Sequence, residues 1–347
     1  MKPFDELSER GRLRRLAELG REALKAFGLR PKSLAGAGSA ENVTFDVRTT
    51  RTGKGKGPGA PYVPGRFLLR LHRPGYHPMQ AVRSELAWLV ALRHDRGLPV
   101  PEPVFARDGS LAAFVEHEGV PEGRVCTLLR WMDGSMRSEK TASPGHMHMV
   151  GRLMAGLHEH ASSWKRPRGF VRGRWDWYGL FENAGTAGAD ESWVWDELPL
   201  KVRRLYESSA RDTADAMDEL GDGPDAFGLI HADLHLGNVV FGGGEARAID
   251  FDDCGDGHWL YDMAVALFDH RDKEDWEIWK DSLLSGYSEV REPPEGVEPH
   301  LETLMCARCV SLMLWTYSRA AENSKFKRNL KKWTDWSVRY LEEHCAE

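Results

Sequence analysis

Two aspartates and an asparagine in the second half of this 347-residue chain have the types and spacing of a phosphate-transfer centre. Asp233 and Asn238 lie in the pattern His-x-Asp-x-x-x-x-Asn, and Asp250 follows a short apolar stretch downstream. Carboxylate and amide oxygens suit Mg²⁺, which proteins bind through few side chains together with phosphates. The remaining aspartate can accept the proton of an attacking hydroxyl, and phosphoryl transfer needs little beyond such positioning and charge neutralisation. The residues therefore predict transfer of a phosphate from a nucleotide.

A β-hairpin is predicted to bring these side chains together. Residues 239–241 and 246–249 read as short apolar strands, and the glycines between them are typical of a tight hairpin turn. In that pairing Asn238 and Asp250 lie together at the open end of the hairpin, with Asp233 just upstream. The alternative is an ordinary loop rich in aspartate and asparagine. The spacing and the flanking strands favour the catalytic interpretation.

The same residues resemble the aminoglycoside phosphotransferase/choline kinase superfamily, whose members are small-molecule relatives of the protein kinases. The string HADLHLGN at residues 231–238 is similar to the catalytic loop of that family. The resemblance implies that Asp233 is the catalytic base and that Asn238 and Asp250 are Mg²⁺ ligands. It also implies ATP and Mg²⁺ as the cofactors.

This resemblance also assigns a supporting role in the loop to two further residues. His231 would brace the loop from within. Asp262 matches an aspartate that begins a helix in the family, and that aspartate usually buttresses the catalytic loop without reacting. His235 lies inside the loop, where a capping or packing role is the favoured interpretation.

Nucleotide-binding residues are predicted in the first third of the chain. Gly36 and Gly38 lie within a predicted strand–turn–strand, at its turn. Small residues there let the backbone approach phosphates, although an ordinary tight turn is the alternative. Kinases place a cation on the third strand and hold it with a helix glutamate. Here Arg70 replaces the family's usual lysine, and Glu85 is its partner. Arginine is not a neutral replacement, and a solvated charge on an edge strand is the alternative for Arg70.

The strand at residues 128–134 resembles the family's strand that ends in glycine and leads into the second lobe. By that resemblance alone, backbone groups of Arg130 and Met132 bind the adenine edge.

A cluster of acidic residues follows Asp250. It comprises Asp252, Asp253 and Asp256. Such a cluster could bind a cationic acceptor or could lie in solvent, and the sequence leaves both interpretations open.

Composition excludes some classes of protein. A net charge of −6 argues weakly against a nucleic-acid binder and is compatible with a cationic substrate. No apolar run reaches the roughly 18 residues that a membrane helix needs, so no membrane partner and a cytoplasmic location are expected.

The five cysteines are scattered and indicate no disulfide framework. Cys306 and Cys309 are predicted to be buried small side chains rather than a metal or redox pair.

The remaining elements predict an α+β fold with two lobes, like that of the protein kinases. Residues 1–131 read as a helix, three strands, a helix and two strands, with a Gly/Pro/Lys-rich loop at 51–65. This N-lobe would carry an antiparallel sheet plus a helix. Residues 132–347 read as a larger, mainly helical C-lobe that holds the catalytic hairpin and binds the acceptor.

The function predicted from these residues and from the resemblance is ATP- and Mg²⁺-dependent transfer of the γ-phosphate to a hydroxyl of a small molecule. The acceptor could be an antibiotic of the aminoglycoside kind, and the protein would then be an antibiotic-resistance factor. It could also be an amino alcohol or a sugar metabolite. A protein Ser/Thr kinase of the bacterial stress-response type and a non-catalytic nucleotide-binding module are the alternatives. The sequence does not indicate an oligomeric state.

Overall fold

The computed structural model describes residues 2–39, 42–50, 61–138, 140–183 and 192–345. The chain packs as two units, and each has its own core. The first unit comprises Met1–Ser135, Pro167–Val171 and Val240–Ile249, and the second comprises Met136–Arg166, Arg172–Val239 and Asp250–Glu347. Within the described ranges, no helix combines the length and the apolar character that a membrane crossing requires.

Helices and strands of the first 132 residues follow the predicted order. They are α1 (Glu9–Ala26), β1 (Pro31–Ser39), β2 (Val43–Thr49), β3 (Tyr62–Leu71), α2 (Met79–Arg96), β4 (Ala112–Val115) and β5 (Arg124–Met132). The end of the predicted loop at 51–65 is wrong, because β3 begins at Tyr62. Residues 51–60 of that loop lie outside the described residues.

The first unit is built on an antiparallel sheet in the order β1-β2-β3-β5-β4. The apolar residues of α1 recur at helical spacing and form one stripe, which packs into the same core as the sheet. Leu19, Leu24, Val47 and Leu69 in this core are fully buried. This packing makes β3 a central strand with a neighbour on each side.

The rest of the chain is mainly helical, as predicted. Its elements are β6 (Ser135–Met136), α3 (Pro144–Ser163), β7 (Arg174–Trp175), α4 (Trp177–Phe181), α5 (Val194–Glu197), α6 (Leu200–Leu220), β8 (Phe227–Ile230), β9 (Val239–Gly242), β10 (Glu245–Ala248), β11 (Gly255–His258), α7 (Trp259–Leu267), α8 (Trp276–Ser288), α9 (Val297–Glu322) and α10 (Ser324–His344). The segment from Val194 to Leu220 contains two helices rather than one. Pro199 keeps Leu198 extended, with ψ 138°, and this interrupts the helix.

The predicted catalytic hairpin is present as β9 and β10, which are hydrogen-bonded neighbours. Its turn residues Gly243 and Gly244 have φ values of 63° and 80°. Two successive positive φ angles are typical of the type I′ turn that suits the twist of a hairpin, and glycine adopts them without strain. The local sequence was therefore sufficient to predict this element.

The prediction of an unpaired Cys306 is wrong. Cys306 in α9 forms a disulfide with Cys345, which follows α10, and their Cα atoms are 6.6 Å apart. Cys309, the other member of the Cys-x-x-Cys pair, is buried with a free thiol, and burial raises its pKa. No spacing pattern indicated this disulfide, because its two cysteines are 39 positions apart.

Candidate active site

The loop that follows β8 is anchored through its backbone by a single carboxylate. The amides of His231 and Ala232 donate to Oδ2 and Oδ1 of Asp262, over 2.9 Å and 2.6 Å. Ala232 has a φ of 68°, in the left-handed region that residues with a side chain seldom adopt. Asp262 thus holds the chain at the point where its conformation is least favourable, directly before Asp233.

Asp262 is itself held by two buried side chains that form a hydrogen-bonded chain with it. The sequence did not reveal this chain. His158 of α3 lies with its Nε2 3.0 Å from Oδ2 of Asp262, and its Nδ1 lies 2.9 Å from the Tyr287 hydroxyl. Burial lowers the pKa of His158, although the neighbouring Asp262 opposes this shift. A neutral imidazole that donates to Asp262 and accepts from Tyr287 satisfies all three groups. His158 is far from the loop in sequence, and no spacing pattern identified it.

Replacing Asp262 by asparagine is expected to loosen the loop. Asparagine has one acceptor oxygen, and its other terminal atom is the NH₂ group, which is a donor. One of the two backbone N–H groups of the loop would therefore face this NH₂ group and lose its acceptor. The free energy of unfolding should fall by about 1–3 kcal/mol, as for a buried donor left unsatisfied. Urea denaturation measures this change, and Asp281→Asn, at an exposed position of α8, is the control. Equal stability of the two variants would contradict the anchoring role of Asp262.

Asn238 contacts the predicted base directly. Its Nδ2 donates to the backbone carbonyl of Asp233 over 2.9 Å and to the carboxylate Oδ2 over 2.7 Å. A short 3₁₀ turn, Leu236–Asn238, brings the amide back to this position. Because Nδ2 is directed at Asp233, the amide oxygen Oδ1 is the atom of Asn238 that remains to coordinate a metal.

Two basic side chains face Asp233. The guanidinium of Arg308, from α9, donates to Oδ1, and the His235 ring nitrogen Nε2 lies 3.6 Å from Oδ2. Burial alone would raise the pKa of Asp233, but Arg308 and His235 together hold it well below its usual range. Burial lowers the pKa of His235, whereas the Asp233 carboxylate raises it, and the net shift is upward. Asp233 is therefore ionised at neutral pH, and Arg308 is a site residue that the sequence analysis missed.

Several carboxylates lie near Asp253, and Asp233 is one of them. Asp250 is exposed and has a φ of 62°, a left-handed conformation that aspartate tolerates better than most residues. Burial and the nearby charges of Asp233, Asp252 and Asp250 raise the pKa of Asp253 well above its usual value. This group of acidic side chains is the environment that a divalent cation would neutralise.

The interpretation of the downstream acidic residues as a solvent-exposed cluster is wrong in part. Asp252 is buried, and its backbone carbonyl accepts a hydrogen bond from Arg172. Asp256 forms a two-pronged ion pair with Arg166. These contacts hold the segment after β10 in place within the second unit.

In the first unit, Arg70 and Glu85 form a buried ion pair. Nη1 of Arg70 lies 2.9 Å from Oε1 of Glu85, and the two side chains are 3% and 1% exposed. Because β3 is a central strand, the alternative of a solvated edge-strand charge is wrong. The pairing of a strand cation with a helix carboxylate is the arrangement that kinases use at the nucleotide phosphates.

The other predicted nucleotide-binding residues lie on strands. Gly36 and Gly38 belong to β1, which runs to Ser39, and a bulge separates them, so the expectation of a turn at the glycine pair is wrong. Residues 40 and 41 lie outside the described residues. The backbone amide of Arg130 donates to the carbonyl of Glu102 over 2.9 Å and is already engaged. Contact of the remaining backbone groups of Arg130 and Met132 with the adenine edge stays a prediction.

Comparison with known proteins identifies the family of the chain. Residues 35–299 match the model of the "Phosphotransferase enzyme family". A homoserine kinase of Rhizobium meliloti (strain 1021) is 28% identical over 267 residues, which cover 74% of this chain and 69% of that protein. A solved microcompartment-associated aminopropanol kinase is also 28% identical, with a TM-score of 0.69 over 94% of this chain and 98% of the other.

A more distant structure supports the fold alone. The amicoumacin kinase hAmiN, solved in complex with AMP-PNP, Ca²⁺ and Ami, has a TM-score of 0.72 at 16% identity and covers 94% of this chain and 95% of its own. The two solved structures confirm the predicted α+β, bilobal, protein-kinase-like fold. The family match and the homoserine kinase confirm the resemblance to the aminoglycoside phosphotransferase/choline kinase superfamily. The chain belongs to the phosphotransferase enzyme family and is a small-molecule kinase within it, with an alcohol group as the phosphate acceptor.

Proposed function

We propose that the chain transfers the γ-phosphate of ATP, in the presence of Mg²⁺, to a hydroxyl group of a small metabolite or antibiotic. The contact between Asn238 and Asp233, in a loop anchored by Asp262, is the observation that carries this proposal. It leaves an ionised carboxylate next to an amide oxygen, which are the two groups that hydroxyl activation and metal binding require.

The roles within the second unit follow from the chemistry of each group. Asp233 orients the acceptor hydroxyl and takes its proton. Asn238 and Asp250 would hold Mg²⁺, since an amide oxygen and a carboxylate are hard oxygen ligands. The metal, when bound, neutralises phosphate charge. His231 is buried and braces the loop, with its ring 4.5 Å from that of Phe251.

The roles within the first unit concern the nucleotide. Arg70, held by Glu85, binds the α- and β-phosphates, and its planar fork suits phosphate oxygens. Gly36 and Gly38 let the β1 backbone approach the phosphates, and backbone groups of Arg130 and Met132 contact the adenine edge. The proposal places the boundary between the two lobes after residue 131. It also places the protein in the cytoplasm.

The acceptor is proposed to carry an amino group beside its hydroxyl. Homoserine and aminopropanol, named in two of the relatives, share that combination. The acidic side chains around Asp253 are compatible with a cationic amine. Aminoglycoside-like antibiotics and sugars belong in the same search because they present hydroxyl groups of similar reactivity.

A phosphate-gain screen tests the proposed function. Purified protein is incubated with ATP, Mg²⁺ and a panel of amino alcohols, hydroxy amino acids, sugars and aminoglycosides, and mass spectrometry detects the addition of one phosphate. Product formation that requires Mg²⁺ supports the proposal. Phosphorylation of protein Ser/Thr residues alone, or ATP binding without any phosphorylated product, would overturn it.

A further inference from the structure

Arg308 reaches the carboxylate of Asp233 from a distant part of the chain. The two residues are 75 positions apart, and the guanidinium Nη2 donates to Oδ1 of Asp233. The Arg308 side chain is 14% exposed and that of Asp233 is 20% exposed. A pair so shielded from water is more sensitive to the loss of one partner than a surface pair is.

The helix that carries Arg308 is rigidly fixed in the second unit. α9 packs against α6, α7 and α10. Leu304, Met305, Cys309 and Val310, on either side of Arg308 in sequence, are fully buried. The guanidinium therefore reaches Asp233 from a fixed base, and the residue is part of the architecture rather than a mobile surface group.

Arg308 and Asn238 together hold both oxygens of the Asp233 carboxylate. Arg308 binds Oδ1, and Nδ2 of Asn238 binds Oδ2 over 2.7 Å. The terminal torsion of an aspartate is broad and permits rotation when only one oxygen is held. Two donors from different elements fix the plane of the carboxylate and leave its remaining lone pairs in a defined direction.

Loss of the guanidinium would release one oxygen of the carboxylate. Oδ1 of Asp233 would lose the Arg308 donor, whereas Oδ2 would keep the Asn238 donor. A carboxylate held through one oxygen can rotate about its terminal torsion, and its lone pairs then lose their defined direction.

We propose that Arg308 is a positioning residue, which orients the carboxylate of Asp233 for contact with the acceptor hydroxyl. This inference rests on the proposed phosphotransfer function and extends it to a residue of α9. Arg308 acts through Asp233 and takes no proton. A misplacement of the reacting groups by about 1 Å can lower a rate by roughly 10²-fold, so the effect of its loss is expected in kcat.

Removal and chemical rescue of the guanidinium test this role. Arg308→Ala should lower kcat by about 10- to 100-fold, with the KM for ATP within a factor of two of the wild type. Guanidinium ion, added below denaturing concentrations, should restore part of the rate, whereas urea, which has a similar shape and no charge, should not. Arg319→Ala is the control, since Arg319 lies farther along α9 and contacts Ser318; its rate should not respond to guanidinium. A wild-type kcat in Arg308→Ala, or no rescue of a folded variant, would overturn the proposal.

A second variant and a structural measurement complete the test. Arg308→Lys keeps a positive charge but loses the planar fork, and its kcat should lie between those of the wild type and Arg308→Ala. Arg308→Lys also replaces Arg308→Ala in the kinetic test if the alanine variant does not fold. Crystal structures of the wild type and Arg308→Lys report the carboxylate orientation of Asp233 without any acceptor. If the wild type phosphorylates nothing, the proposed function fails, whereas an unchanged Asp233 carboxylate in the variant defeats the positioning role.

Discussion

Replacing Asp233 by asparagine is expected to lower kcat by about 10²- to 10⁴-fold, the range found for the loss of a general base. The amide is close in shape to the carboxylate but cannot accept the proton of the acceptor hydroxyl. Because ATP binding is assigned to residues of the first unit, the Kd for ATP should remain near the wild-type value. Steady-state kinetics and calorimetric titration with ATP measure the two quantities.

A matched variant separates the chemical role of Asp233 from a general effect of losing a negative charge. Asp215→Asn makes the same substitution at an exposed position of α6 and should leave kcat unchanged. Thermal unfolding should also be recorded, because Asp233→Asn leaves Arg308 without its carboxylate partner. A variant that is folded, binds ATP and turns over at the wild-type rate would exclude Asp233 as the base.

Breaking the Arg70–Glu85 pair should have the largest effect on stability. Arg70→Met leaves the Glu85 carboxylate, which is 1% exposed, without its cation. Loss of one partner of a buried pair typically lowers the free energy of unfolding by about 3–5 kcal/mol. Urea denaturation measures this change. Lys25→Met, which removes a surface partner of Glu22, is the control, and there the change should be at most about 1 kcal/mol.

A double variant distinguishes folding from nucleotide binding. Arg70→Met with Glu85→Leu replaces both charges by apolar groups, which is often neutral for stability. The double variant should therefore recover most of the stability lost in Arg70→Met. Its KM for ATP should remain well above the wild-type value, because the phosphates still lack their cation. A wild-type KM for ATP in the double variant would exclude Arg70 from the nucleotide site.

The sequence alone was sufficient wherever the determinants of structure are local. The glycines at 243 and 244 specify a tight turn, so the β9–β10 hairpin could be predicted. Helical and strand periodicity gave the order of the elements in the first unit. The string at residues 231–238 identified the family, because the chemistry of the loop depends on neighbouring positions. The break between α5 and α6 is also local, because Pro199 keeps the residue before it extended.

Only the tertiary structure identified the residues that support the site from other helices. His158 reaches Asp262 across 104 positions, Arg308 reaches Asp233 across 75, and Cys306 pairs with Cys345 across 39. No periodic pattern encodes such contacts, because they depend on how helices pack against one another. The sequence therefore indicated the residues to which the chemistry is assigned in the proposed function, and the packing of α3 and α9 decided how the loop and its aspartate are held.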